Sequence, residues 1–145
     1  MRRKCLTLGL VAIGCALLGV SASSSASGRA DVGHGLSVSV PRGWRVSYHR
    51  FTPCSDPVER VSLIRGRQVL MIQERLDPVR AELSGRPARF NVQGKPSPME
   101  CCSIPGRSGW SLQFSDHGRA FYAYLFPGNS AVRPLLRLLD TFRAT

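Results

Sequence analysis

The chain has 145 residues, of which 43% are hydrophobic, and 20 lysines and arginines against nine acidic residues give it a formal net charge of +11. This length has room for one domain, which excludes a multidomain architecture. A strongly basic protein attracts anionic partners. The export signal described next argues against nucleic acid as that partner.

The first 27 residues have the three parts of a secretory signal peptide. Met1–Lys4 is basic, Cys5–Val20 carries no charge, and residues 21–27 are serines and alanines. The apolar part has sixteen residues, fewer than the roughly 20 that a membrane-spanning helix needs. We therefore expect export, with cleavage after Ala22 or alternatively after Ala26. An uncleaved signal anchor is a further alternative.

A second form of export involves Cys15. The segment Ala12-Ile13-Gly14-Cys15 resembles the lipobox of bacterial lipoproteins, in which the cysteine is lipidated and becomes the new N-terminus. A leucine is usual at the first position, and Ala16–Leu18 continues the apolar run where a polar tether is usual. Cys15 is alternatively a small residue of the apolar segment. In either case the domain lies outside the cytoplasm, in the medium or at the outer face of the cytoplasmic membrane.

These signals divide the chain into a signal peptide (1–22), a flexible polar linker (23–34) and one domain (35–145). From Asp31 onward the chain has sixteen basic and nine acidic residues. We expect the partner to be an anionic cell-surface polymer or another envelope protein, and not nucleic acid.

Alternation of apolar and polar residues predicts the first strands of the domain. Turns at Pro41–Gly43 and Arg65–Arg67 join two pairs of them, and loops are expected at Phe51–Pro57 and Gln93–Arg107. Asp77–Pro87 has room for a turn or two of helix. The predicted strands are Leu36–Val40, Trp44–His49, Val58–Ile64, Gln68–Leu76 and a short edge strand at Ala88–Val92.

The strongest strand signal is Gly109–Phe126. In its first half, apolar Trp110, Leu112 and Phe114 alternate with polar residues. A turn at residues 116–118 contains a glycine that can adopt positive φ. The second half, Ala120–Phe126, is apolar or aromatic on both faces, which predicts a central strand.

Asn129–Thr145 is predicted to form an amphipathic helix. Leucines recur at helical spacing, Asn129 or Ser130 can cap the N-terminus, and Pro134 falls in the first turn, where its missing N–H costs least. The expected fold is α+β: an antiparallel sheet of about six to seven strands with this helix packed on one face.

Three cysteines remain after export, namely Cys54, Cys101 and Cys102. Outside the cytoplasm a pair normally oxidises, so we expect a disulfide from Cys54 to one of the other two. The remaining thiol is buried or open to a partner, or Cys101 and Cys102 form a vicinal bond. An alternative function is a thiol- or metal-dependent site built from these cysteines and His49. Because the CxxC and HxxxH spacings of zinc sites are absent, we expect no metal and no cofactor.

No arrangement of nucleophile, base and orienting group is recognisable, so we expect a protein that is not an enzyme. The aromatic side chains of the last strand are the remaining candidate. Tyr122 and Tyr124 share one face of that strand, and one face of the sheet is taken by the helix. If the two tyrosines lie on the face opposite the helix, and if that face is open, they form a binding platform rimmed by arginines. Otherwise the segment 77–87 or the long loop covers it.

The order of these parts resembles the PsbP-like fold. The resemblance is carried by a strand followed by Pro-x-Gly-Trp (Val38–Trp44), a Gly-Arg-aromatic strand (Gly118–Tyr122) and a closing Leu-Leu-x-x-Phe helix (Leu138–Phe142). It covers nearly all of Gly35–Arg143. The family's fold is an antiparallel sheet sandwiched by helices, common in small exported proteins and lipoproteins of bacteria, actinobacteria especially. The resemblance implies a non-catalytic accessory or binding role and carries over no catalytic or ligand residue.

Overall fold

A computed structural model describes residues 28–51, 58–75, 83–99 and 107–145. Within these ranges the chain forms nine strands and one helix. In chain order they are β1 (Gly28–Gly33), β2 (Leu36–Val40), β3 (Arg45–Phe51), β4 (Val58–Arg65), β5 (Gln68–Arg75), β6 (Ser97–Pro98), β7 (Ser108–Asp116), β8 (Arg119–Phe126), α1 (Arg133–Thr141) and β9 (Arg143–Ala144).

The strands form two antiparallel sheets. The larger has the order β3-β4-β5-β8-β7-β6, and the smaller has the order β1-β2-β9. The α+β fold expected from the sequence is confirmed, and β8 is a central strand, paired with β5 and β7. The sequence did not predict β1, β6 and β9, because each of these segments is short or weakly apolar. The structure therefore has more strands than expected.

Local turn chemistry fixes the hairpin of β7 and β8. Its loop has two residues, His117 and Gly118, with φ of 50° and 73°, and Asp116 pairs directly with Arg119. Two successive positive φ angles are the requirement of a tight hairpin turn whose twist matches that of the strands. The predicted turn is therefore confirmed, with Asp116 belonging to the strand.

The main core lies between one face of the large sheet and a layer made by α1 and the small sheet. Four phenylalanines meet at its centre. The ring of Phe114 lies 4.9 Å from that of Phe90, 5.4 Å from that of Phe121 and 6.2 Å from that of Phe142 (centroid distances). Edge-to-face and offset contacts of this kind stabilise beyond the area that they bury.

Helix α1 is shorter than predicted. Its N-cap is Val132, without a side-chain cap, and Leu135, Leu138 and Leu139 are buried. Asn129 and Ser130 do not cap it, because both lie in the preceding turn, where the Ser130 N–H donates to the Pro127 carbonyl at 3.1 Å. The helix ends at Phe142, which is extended (φ −61°, ψ 139°). The last residues can therefore pair with β2 as β9.

Three further predictions differ from the structure. Residues 28–33, predicted as part of the linker 23–34, form β1 along β2, and Val32 is buried. Ala88–Val92, predicted as an edge strand, has no strand pairing. The backbone N–H of Phe90 donates instead to the Asp140 carboxylate at 2.8 Å, so this segment packs beside α1. The predicted loop 93–107 contains the two-residue strand β6.

Candidate functional site

The predicted aromatic face lies opposite the helix. Phe121, Ala123 and Leu125 point into the main core. Tyr124 and Phe126 lie on the other face of the large sheet, in a small apolar cluster with Met71. Tyr122 and Tyr124 are half-buried there, whereas Met71 and Phe126 are fully buried. This face is therefore partly covered: Met71 and Phe126 are buried, and the two tyrosines keep part of their surface exposed.

Burial raises the pKa of Tyr124, and the neighbouring Tyr122 raises it further. An unfolded tyrosine ionises near about pH 10. Above that pH the unfolded chain loses a proton that folded Tyr124 still holds. Its contribution to stability is therefore fully present below about pH 10 and is lost as the pH rises through the folded pKa. We expect the wild-type free energy of unfolding to fall more steeply than that of Tyr124→Phe in urea titrations above about pH 10. Equal slopes would contradict this account.

Several predicted site residues lie outside the described residues, namely Cys15, Cys54, Cys101 and Cys102. The backbone of His49 is in β3, but its side chain is also outside the description. In the four described ranges no group of three or more histidine, cysteine or acidic side chains could hold a metal ion. No helix in the same ranges has the length and apolar character needed to cross a membrane.

A groove of about 730 Å³ runs between α1 and the segment before β6. We call it the helix groove. One wall comes from α1 and the residue before it, and the other comes from residues 89–92. Its lining residues are Arg89, Phe90, Asn91, Val92, Val132, Arg133, Leu136, Arg137 and Asp140.

Asp140 and Arg86 hold the two walls together. The carboxylate of Asp140 accepts the Phe90 N–H at 2.8 Å, and its backbone carbonyl accepts Arg86 Nη2 at 2.6 Å. The Arg86 guanidinium lies 5.3 Å from the centre of the Phe90 ring, and that ring packs against Phe114 in the core. The segment is therefore tied both to the C-terminal end of the helix and to the core.

Positive charge along the helix groove is not neutralised by ion pairs within the described parts of the chain. The guanidinium groups of Arg89, Arg133 and Arg137 are exposed, and none forms a hydrogen bond or ion pair with another described residue. Among the described residues, the only carboxylate in the lining is that of Asp140, and one of its oxygens is already bonded to Phe90. The groove therefore has three cationic groups and one partly engaged anionic group.

Arg86 has charged groups of both signs near it. Burial lowers its pKa, and the nearby Arg143 lowers it further, although Asp116 and Asp140 act in the opposite sense. Because loss of contact with water is the largest of these causes, the shift mainly reflects the burial of Arg86 where the two walls meet.

Two smaller hollows lie at the edge of the opposite sheet face. One, of about 500 Å³, is bordered by Arg67, Arg107 and Phe126. The other, of about 320 Å³, shares Arg107 with it and reaches Met71. Both are smaller than the helix groove, which has three arginines around a single hollow.

The sequence contained part of the signal for the helix groove. Arg133 and Arg137 stand four residues apart on the polar side of the predicted helix, where they are neighbours on one face. Arg89 could not be placed beside them, because its segment matched the pattern of a strand. The tertiary contacts of Arg86 and Phe90 with Asp140 bring the three arginines together.

No protein-family model matches this chain. No curated protein and no solved structure matches it at a significant level. The interpretation of its function therefore rests on the chemistry of the helix groove and of the N-terminal sequence.

Proposed function

We propose that this protein is a non-catalytic binding protein of the cell envelope that holds an anionic ligand in the helix groove. The observation that carries the proposal is the set of three guanidinium groups around one hollow, without a carboxylate paired to any of them in the described residues. Guanidinium groups bind carboxylates and phosphates through paired, charge-assisted hydrogen bonds. The volume of the groove, about 730 Å³, falls within the range of roughly 300 to 1,000 Å³ found for small-molecule sites.

The lining of the groove supports binding and not catalysis. The described part of the lining contains no serine, cysteine, histidine, lysine or tyrosine, which are the side chains that usually act as nucleophiles or general bases. Asp140 is the one acidic group, and it is hydrogen-bonded to the backbone of the opposite wall. Its position favours a structural role in holding the groove together.

The envelope location is supported by the N-terminal sequence, with its basic start, its uncharged stretch and its small-residue tail. A lipid on Cys15 remains the alternative to cleavage after Ala22. The PsbP-like resemblance points the same way, since that family includes many exported proteins with accessory or binding roles. An antiparallel sheet with a C-terminal helix on one face is compatible with it.

Charge reversal in the groove tests the proposal. We expect Arg133→Glu/Arg137→Glu to weaken binding of polyphosphate, an anionic polymer, to the full chain by on the order of tenfold or more. The matched control is Arg42→Glu/Arg45→Glu, which makes the same change in net charge at two exposed positions outside the groove. Calorimetric titration at two salt concentrations gives the dissociation constants.

The control separates site binding from general attraction. If both double variants lose affinity equally, polyphosphate responds to net charge alone and the groove is not its site. If neither variant loses affinity, the arginines of the groove do not bind anions. Either result overturns the proposal.

A further inference from the structure

We propose that the ligand of the helix groove is an anionic amphiphile, a single acyl chain with a carboxylate or phosphate head group. This inference rests on the proposed function and specifies its ligand class. It is carried by a second property of the groove, the apolar side chains that lie between its cationic groups.

Both walls of the helix groove also carry apolar side chains, which together we call its apolar floor. Val132 and Leu136 of the helix wall are half-buried and pack against the main core, and Val92 of the opposite wall is half-buried. Phe90 belongs to the core itself. The water-exposed part of these side chains is not covered by any other part of the described structure. Covering it with a hydrocarbon chain removes apolar surface from water, which is favourable.

The cationic groups stand on both sides of this floor. Arg133 and Arg137 are one helical turn apart, with Cβ atoms about 5–6 Å from one another, and Arg89 belongs to the opposite wall. A ligand that fits this pattern has one anionic end and one apolar body. Inorganic anions and polyanions would satisfy only the arginines and would leave the apolar floor in contact with water.

An acidic peptide fits the groove less well than an acyl chain. Each peptide unit carries an N–H and a C=O that need partners when they leave water. Among the described residues the lining offers one neutral polar side chain, Asn91, and its Oδ1 already accepts the Val92 N–H at 2.9 Å. The Asp140 carboxylate already accepts the Phe90 N–H. A hydrocarbon chain has no polar groups to satisfy.

The dependence of affinity on the length of the acyl chain tests this inference. We compare the binding of three ligands to the full-length protein: butyrate, dodecanoate below its micellar concentration, and dodecyl maltoside as an uncharged amphiphile. Each methylene that becomes buried is expected to raise the affinity by up to about fourfold. Dodecanoate should therefore bind far more tightly than butyrate, and also more tightly than dodecyl maltoside, which lacks the charge.

Two variants of the protein locate the bound acyl chain. Leu136→Asn should reduce the preference for dodecanoate over butyrate. Ile64→Asn replaces an aliphatic side chain of the same size at a half-buried position on the other face of the large sheet. This variant should keep the preference for dodecanoate over butyrate. Circular dichroism verifies that each variant is folded, and Val92→Asn replaces Leu136→Asn if the latter is not.

The outcomes distinguish this inference from the proposal on which it rests. If polyphosphate binding depends on Arg133 and Arg137 but dodecanoate binds no better than butyrate, the amphiphile is excluded and the anionic site remains. If an acidic peptide binds more tightly than dodecanoate, the ligand class is also wrong. If no anion depends on these arginines, both proposals fail together.

Discussion

Replacing Phe114 with alanine is expected to lower the free energy of unfolding by about 3–5 kcal/mol. Phe114 is 1% exposed, and its ring contacts those of Phe90, Phe121 and Phe142. These rings belong to the segment before β6, to β8 and to the residue after α1. The substitution therefore opens a cavity where the sheet, the helix and one wall of the helix groove meet.

Urea unfolding followed by circular dichroism measures the effect. Phe114→Leu is the matched control, because it retains most of the side-chain volume and should cost clearly less than the alanine variant. Equal losses in the two variants would show that volume at this position does not determine stability. A loss below about 1 kcal/mol for Phe114→Ala, a value ordinary for mutations in general, would contradict the central position of this cluster.

Replacing Arg119 with methionine is expected to cost about 3–5 kcal/mol, because it leaves the carboxylate of Glu74 buried without its partner. The Glu74 side chain is 7% exposed. Its two oxygens accept Arg119 Nε and Nη2, each at 2.6 Å. This bidentate pair lies on the core face of the sheet, where the buried carboxylate has little contact with water. Arg45→Met, at an exposed position of β3, is the control and should change stability by less than about 0.5 kcal/mol.

A double-mutant cycle separates the energy of the ion pair from the cost of an unpaired charge. Glu74→Leu/Arg119→Met removes both charges, and we expect it to be more stable than Arg119→Met alone. The measurement is again the free energy of unfolding in urea. A double variant that is less stable than Arg119→Met would show that the ion pair is not what makes the single substitution costly.

Where patterns were local, the sequence predicted the fold well. The alternation of Leu112 and Phe114 with polar neighbours, and the glycine at position 118, are sufficient to predict the hairpin of β7 and β8. Buried leucines at helical spacing predict α1. Apolar and polar residues also alternate in β1, with Ala30 and Val32 as the apolar ones. Its glycines and charged residues made this pattern too weak to predict a strand.

The predictions were wrong for segments whose structure depends on tertiary contacts. Ala88–Val92 matches a strand by alternation, yet the contacts of Phe90 with Asp140 and with Phe114 place it against the helix. The helix prediction ran past Phe142 because the pairing of β9 with β2 joins residues distant in sequence. The helix groove depends on the first of these contacts, so the sequence could supply its arginines but not their arrangement.

The most direct test of the central claim is to locate anion binding on the folded protein by nuclear magnetic resonance. The isotope-labelled full chain is titrated with polyphosphate, and the backbone amide shifts are followed residue by residue. We expect the largest changes at 89–92 and along 132–140, with small changes at Tyr122 and Tyr124. Largest changes along β8, or around Arg67 and Arg107, would place the site on the opposite face of the sheet and contradict the assignment of the helix groove.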